Sequence, residues 1–169
     1  LRDGAPPPRS APPARPAGTE TVVREKKELG QLHLCLGVPA LPTPDPRRYQ
    51  AHVLNTLLGG TMSSRLFQHI REERGLAYSV FSSVQSFQDS ASFIIYAAVS
   101  PETGREVIGL IVEELGRLKE ALVGEHELQM ARDHLKGSLM LSLESTSSRI
   151  SNLARQEVYF GRQFTLNEI

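Results

Sequence analysis

The apolar residues of this chain recur with two rhythms, and each predicts a different element. Over 32–38, Leu32, Leu34, Leu36 and Val38 alternate with His33, Cys35 and Gly37. A period of two predicts a strand with one strongly apolar face. From Tyr49 the rhythm lengthens, and Tyr49, Val53, Leu54, Leu57 and Leu58 recur at the spacing of a helix face. Asp45–Pro46 ahead of that run reads as an N-cap and first helical residue. Gly59–Gly60 behind it reads as an end in the left-handed conformation that glycine tolerates. Ser63 or Ser64 can cap a second, short helix whose stripe is Leu66, Phe67 and Ile70 and whose stop is Gly75. Alternation then returns in "AYSVFSSVQSF" (77–87) and "ASFIIYAAVS" (91–100), and the "QDS" between them predicts a hairpin.

Three more helices follow. Pro101 opens one with Val107, Ile108, Ile111, Leu115, Leu118 and Leu122 on one side, broken at Gly124. Another, from about Glu125 to Glu144, turns Leu128, Ala131, Leu135, Leu139 and Leu143 inward. "STSSRISNLARQEVYFG" predicts the last, closed by Gly161. Strands cluster instead of alternating singly with helices. The expected fold is therefore α+β, an antiparallel sheet with helices packed on one face.

Composition adds boundaries. At 169 residues, with 40% hydrophobic and 22% charged residues, the chain has the length and balance of one globular domain. A formal net charge of zero removes the electrostatic case for nucleic acid or an anionic membrane as partner. Apolar runs such as Phe93–Val99 are too short to span a bilayer. Residues 1–19 hold six of the 11 prolines and read as a Pro-rich linker, with the ordered domain over 20–169 and order beginning near Glu28. The chain opens without Met and stops at "TLNEI", which resembles the first turn of a helix. A fragment of a longer protein is the expectation.

Little stand-alone chemistry is visible. One cysteine, Cys35, excludes an internal disulfide, and its apolar neighbours predict a buried structural thiol. None of the five histidines forms a zincin or inverted zincin pattern. His126 and His134 lie two turns apart on one predicted helix, too far for one ion to bridge easily, and their expected setting is a solvated helix face. The serines lack a Gly-x-Ser-x-Gly elbow, and Gly59–Gly60 lacks the Lys of a phosphate loop, so they read as caps and polar sheet positions. Ser79, Ser82, Ser83, Gln85 and Ser86 stand where an RNA-binding sheet would carry exposed aromatics among basic residues, although Phe93 and Tyr96 keep two aromatics on the neighbouring strand. Arg71 and Tyr78 remain. They flank Gly75, and a reversal there could bring them together as two hydrogen-bond donors to one carbonyl or oxyanion. Otherwise Arg71 caps helix carbonyls, Tyr78 packs in the core and Arg74 pairs with a nearby Glu.

"LLGGTMSSRLFQHIREERGLAYSVFSS" (57–83) resembles the signature of the second homologous half of pitrilysin-type zinc metallopeptidases, the family of mitochondrial processing peptidase and bacterial processing proteases. The segments "HLCLGVPALPTPDPRRYQAHVLNTLLGG" and "ARDHLKGSLMLSLESTSSRISNLARQEVYFGRQFTLNEI" agree with it, so the resemblance covers roughly 20–169. It implies an α+β half-domain with no zinc motif of its own. The His-x-x-Glu-His zinc site then belongs to a missing N-terminal half, where zinc activates water and polarises the scissile carbonyl. It also implies that Arg71, followed seven residues later by Tyr78, binds the substrate carbonyl and stabilises the tetrahedral intermediate. Arg74 stands at the wrong spacing from Tyr78 for this role. The implied partners are a peptide substrate inside a closed chamber and the zinc-bearing half, in a homodimer or heterodimer, in the bacterial cytoplasm. Alternatives are a catalytically inactive partner or structural subunit of the same fold, and an unrelated α+β ligand-binding domain. A His-x-x-Glu-His motif upstream of Leu1 distinguishes an enzyme in one chain from a partner subunit.

Overall fold

The computed structural model describes residues 21–25, 30–165 and 168. The expected linker over 1–19 and the onset of order at Glu28 lie outside the described residues. Three strands form one sheet: β1 (Leu32–Pro39), β2 (Ala77–Ser86) and β3 (Ala91–Val99). β3 is central, and both neighbours run antiparallel to it. Between β1 and β2 stand helix α1 (Arg48–Asn55), which runs on as a wide-turned π-helical stretch, Thr56–Gly60, and a second π-helical stretch, Phe67–Glu72. Helices α2 (Gly104–Glu120), α3 (Glu125–Ser142) and α4 (Thr146–Phe160) follow β3. The fold is the expected α+β arrangement.

The register explains why the sheet has one wet and one dry face. Leu34 and Leu36 pair with Ala97 and Ile95, and Val80, Ser82 and Val84 pair with Ala97, Ile95 and Phe93. That face joins Leu58, Leu66, Ile70, Val107, Leu110 and Ile111 in a single core. Fully burying side chains of this size contributes about 1.5–3 kcal/mol each. The opposite face carries His33 and Cys35 from β1, Ile94 and Tyr96 from β3, and Ser79, Phe81 and Ser83 from β2.

Four local expectations need correction. Cys35 is exposed, because the alternation that buries Leu34 and Leu36 turns it to the uncovered face of an edge strand. Regular helix begins at Arg48, and Asp45 instead accepts bonds from the backbone and guanidinium of Arg47. Gly59 and Gly60 are not left-handed; among the described glycines only Gly75 and Gly161 have positive φ. Gly59 is required by close approach, since a Cβ there would lie 2.5 Å from the Ser82 backbone nitrogen. On α2 the inward stripe is Val107, Leu110, Ile111 and Glu114, while Ile108 and Leu115 are exposed and Leu122, also exposed, lies past the helix end.

The remaining elements match the reading closely. Phe87–Ser90 closes the hairpin through a bond from the Phe87 N–H to the Ser90 carbonyl. Ala131 is buried on α3, with Leu128, Leu135, Leu139 and Leu143 half-buried beside it. Ser145 caps α4, and Gly161 ends it at φ +64°.

Candidate functional site

Arg71 and Tyr78 stand on either side of one sharp reversal. Gly75 adopts φ +62°, which costs an L side chain about 1–2 kcal/mol. Its N–H donates to the Arg71 carbonyl at 3.1 Å, and the Leu76 N–H donates to the Ile70 carbonyl at 2.9 Å. These bonds satisfy the helix end. The chain therefore passes directly from the Phe67–Glu72 helix into β2.

Tyr78 enters β2 as a bulge. Ala77 pairs with Val99 and Ser79 with the adjacent Ala98, so Tyr78 is the extra residue between them. A bulge re-aims a side chain out of the regular alternation. Tyr78 is 59% exposed, whereas Ala77 and Val80 on either side are buried. It does not pack in the core. Arg71 is also exposed, with its guanidinium carbon 4.8 Å from the Phe67 ring centroid. Neither side chain makes a hydrogen bond among the described residues, so Arg71 caps no helix carbonyl there and the two do not bond each other. The N–H donors of Arg71 and the O–H donor of Tyr78 thus have no hydrogen-bond partner among the described residues. Arg74, by contrast, is paired with Glu106 at 3.7 Å.

The open sheet face carries aromatic rings without Lys or Arg beside them in the strands. The Tyr96 ring centroid lies 5.0 Å from that of Phe81 and 6.0 Å from that of His33. Tyr96 Oη and His33 Nδ1 share a hydrogen bond of 2.7 Å. Phe93 belongs to the core instead. No Lys or Arg occurs in any of the three strands, so the strands offer no cationic side chain to a phosphate backbone.

A cleft of about 380 Å³ lies beside the Phe67–Glu72 helix, lined by Ser63, Arg65, Gln68, His69, Glu73, Glu114 and Arg117. His69 Nδ1 donates to Glu114 at 3.2 Å, and Arg117 donates to the same carboxylate oxygen at 2.7 Å. Arg65 forks onto both oxygens of Glu127, each at 2.7 Å. The Arg65 bonds hold the Glu127 carboxyl below its usual 4.5 against the opposing effect of burial. Sequence reading missed this network. Its legible trace is Glu114, an acid at the inward spacing of an otherwise apolar helix stripe.

Similarity to known proteins agrees with the fold. The sequence model of the peptidase M16 inactive domain matches residues 2–135. The chain belongs to the M16 peptidase family. A Bacillus subtilis relative named as an uncharacterized zinc protease, YmxG, is 45% identical over 151 residues, covering 89% of this chain and 37% of its own. An uncharacterized zinc protease of Streptomyces coelicolor is 39% identical over 155 residues, covering 92% of this chain and 33% of its own. The chain thus spans about a third of the length of these relatives. Among solved structures, a conserved protein of Enterococcus faecalis superposes with TM-score 0.74 at 24% identity, over 83% of this chain and 33% of the other. The peptidase M16 inactive domain from Pseudomonas fluorescens gives TM-score 0.70 at 24% identity, over 82% and 36%.

The zinc named in these relatives finds no cradle among the described residues. Among the described residues no group of three or more His, Cys, Asp or Glu could hold a metal ion. His126 and His134 line a second cleft, of about 280 Å³, alongside Glu127, Met130 and Thr61, but they stand two turns apart on α3. The residues do not fit a zinc ion. Among the described residues no helix is long and apolar enough to cross a membrane.

Proposed function

We propose that this M16 domain is the substrate-facing, non-zinc half of a zinc metalloendopeptidase. Zinc and its activated water would come from a separate N-terminal half. The contribution of this chain is a pair of hydrogen-bond donors, the Arg71 guanidinium and the Tyr78 hydroxyl, directed at the carbonyl of a bound peptide. A preorganised donor acts most strongly where negative charge develops, and removing one costs about 10²–10³ in kcat. The observation that carries the reading is the exposure of both side chains, unbonded, at the two ends of the Gly75 turn. The zinc-protease names of the bacterial relatives support it.

The open face of the sheet, with Phe81 and Tyr96, forms part of a chamber wall that the zinc half closes. Two halves meet in a homodimer or heterodimer. The protein works in the bacterial cytoplasm, a placement supported by the bacterial origin of the relatives and testable by cell fractionation. Peptide hydrolysis by the full-length protein, compared with Arg71→Ala and Tyr78→Phe at equal zinc content, tests the central point. Large losses of turnover with an unchanged melting midpoint support it. Wild-type turnover in both variants makes Arg71 and Tyr78 scaffold. A full-length wild type without activity points to a partner subunit.

A further inference from the structure

The segment that carries Arg71 presents three side-chain stripes at four-residue spacing. Leu66 and Ile70 are fully buried in the core. Phe67 and Arg71 stack on each other at 4.8 Å. Arg65 and His69 form the third stripe, and each is tied to a different helix. Arg65 grips both carboxylate oxygens of Glu127 on α3. His69 donates to Glu114 on α2, whose side chain is only 5% exposed and which also accepts from Arg117. His69 itself is 17% exposed. The charged and polar groups around it are Glu114 and Arg117 from α2 and Arg65, Gln68 and Glu73 from its own segment, with Glu127 of α3 reached through Arg65.

Apolar contact holds the segment against the core, but it is non-directional and tolerates small rotations about the helix axis. Hydrogen bonds of defined angle do not. We propose that His69 is a positioning residue. Its bond to the buried Glu114, with the Arg65–Glu127 fork as second anchor, sets the rotation of the Phe67–Glu72 helix and so the aim of Arg71. This inference rests on the role of Arg71 given above.

The test uses the full-length protein and separates the two claims. Asn at position 69 can keep a donor near the Nδ1 position, whereas Gln moves it outward. His69→Gln is expected to lower kcat by up to about 10²-fold, the scale of a 1 Å misplacement, with KM and melting midpoint near wild type. His69→Asn is expected to retain most of the turnover. In an Arg71→Ala background, His69→Gln should cause no further loss. The Arg71 side-chain resonances, shifted by the Phe67 ring, should move in His69→Gln and stay in His69→Asn. Equal turnover of the Asn and Gln variants overturns the proposal. So does a loss that multiplies with that of Arg71→Ala. Wild-type turnover in Arg71→Ala overturns the role of Arg71, and this inference with it.

Discussion

At Gly75 a single backbone angle, φ +62°, lets a helix that ends at Glu72 hand over to a strand that begins at Ala77. Open space surrounds the position where a Cβ would sit, so the glycine is there for its conformation. Gly75→Ala should therefore destabilise the protein by about 1–2 kcal/mol. Gly109→Ala, inside α2 and also in open space, should stabilise by about 0.5–1 kcal/mol. Denaturant midpoints of the two variants check the pair; equal shifts would contradict the role given to Gly75. At this scale the sequence was only half legible. The Arg71–Tyr78 spacing was plain, but the bulge that exposes Tyr78 depends on its pairing with β3, which no local pattern reports. Cys35 misled for the opposite reason. Its apolar neighbours face the core, and strand alternation sends the thiol the other way.

Among elements, helix positions were legible from periodicity, as were the Ser145 and Gly161 ends of α4, whereas the ends of α1 were not. The Gly59–Gly60 pair looked like a cap, yet Gly59 is needed for its close approach to Ser82 of β2 and Gly60 for its approach to Asn55 of α1. Gly59→Ala should push the Thr56–Gly60 stretch off β2 and cost about 1–3 kcal/mol, as overpacking does. A midpoint equal to wild type would show that this contact is slack. The Arg65–Glu127 pair makes a pH prediction. The folded Glu127 pKa lies below its usual 4.5, so its contribution to stability is fully present above that value. It is lost as pH falls through the lower, folded value. Glu127→Gln should thus weaken the protein at neutral pH and flatten the acid limb of its stability curve. Because the pair is partly exposed, high salt should shrink the difference.

On the scale of the whole molecule, the organising fact is a sheet that the described residues cover on one face only. The clustering of strands announced that arrangement, and the register then decides what lies on the open side. Cys35 reports on it directly. A maleimide should label Cys35 in the folded protein without denaturant, and labelling that requires unfolding would contradict an uncovered face. The far end of the chain is attached differently. α4 buries no residue fully; it is pinned through Phe160, whose ring lies 4.5 Å from the Arg48 guanidinium carbon, with Tyr49 and Phe164 around the same group. The charge sits among aromatic faces, which attract it.

The central claim, that Arg71 and Tyr78 act on one carbonyl, is tested most directly by a double-mutant cycle in the full-length protein. Turnover of a peptide is measured for wild type, Arg71→Ala, Tyr78→Phe and the combined variant, with zinc content and melting midpoint held equal. Two donors to one oxyanion should couple, so that the combined variant loses clearly less than the product of the single losses. Single losses that multiply would place the two residues at separate points on the substrate, and single variants as active as wild type would contradict the account outright.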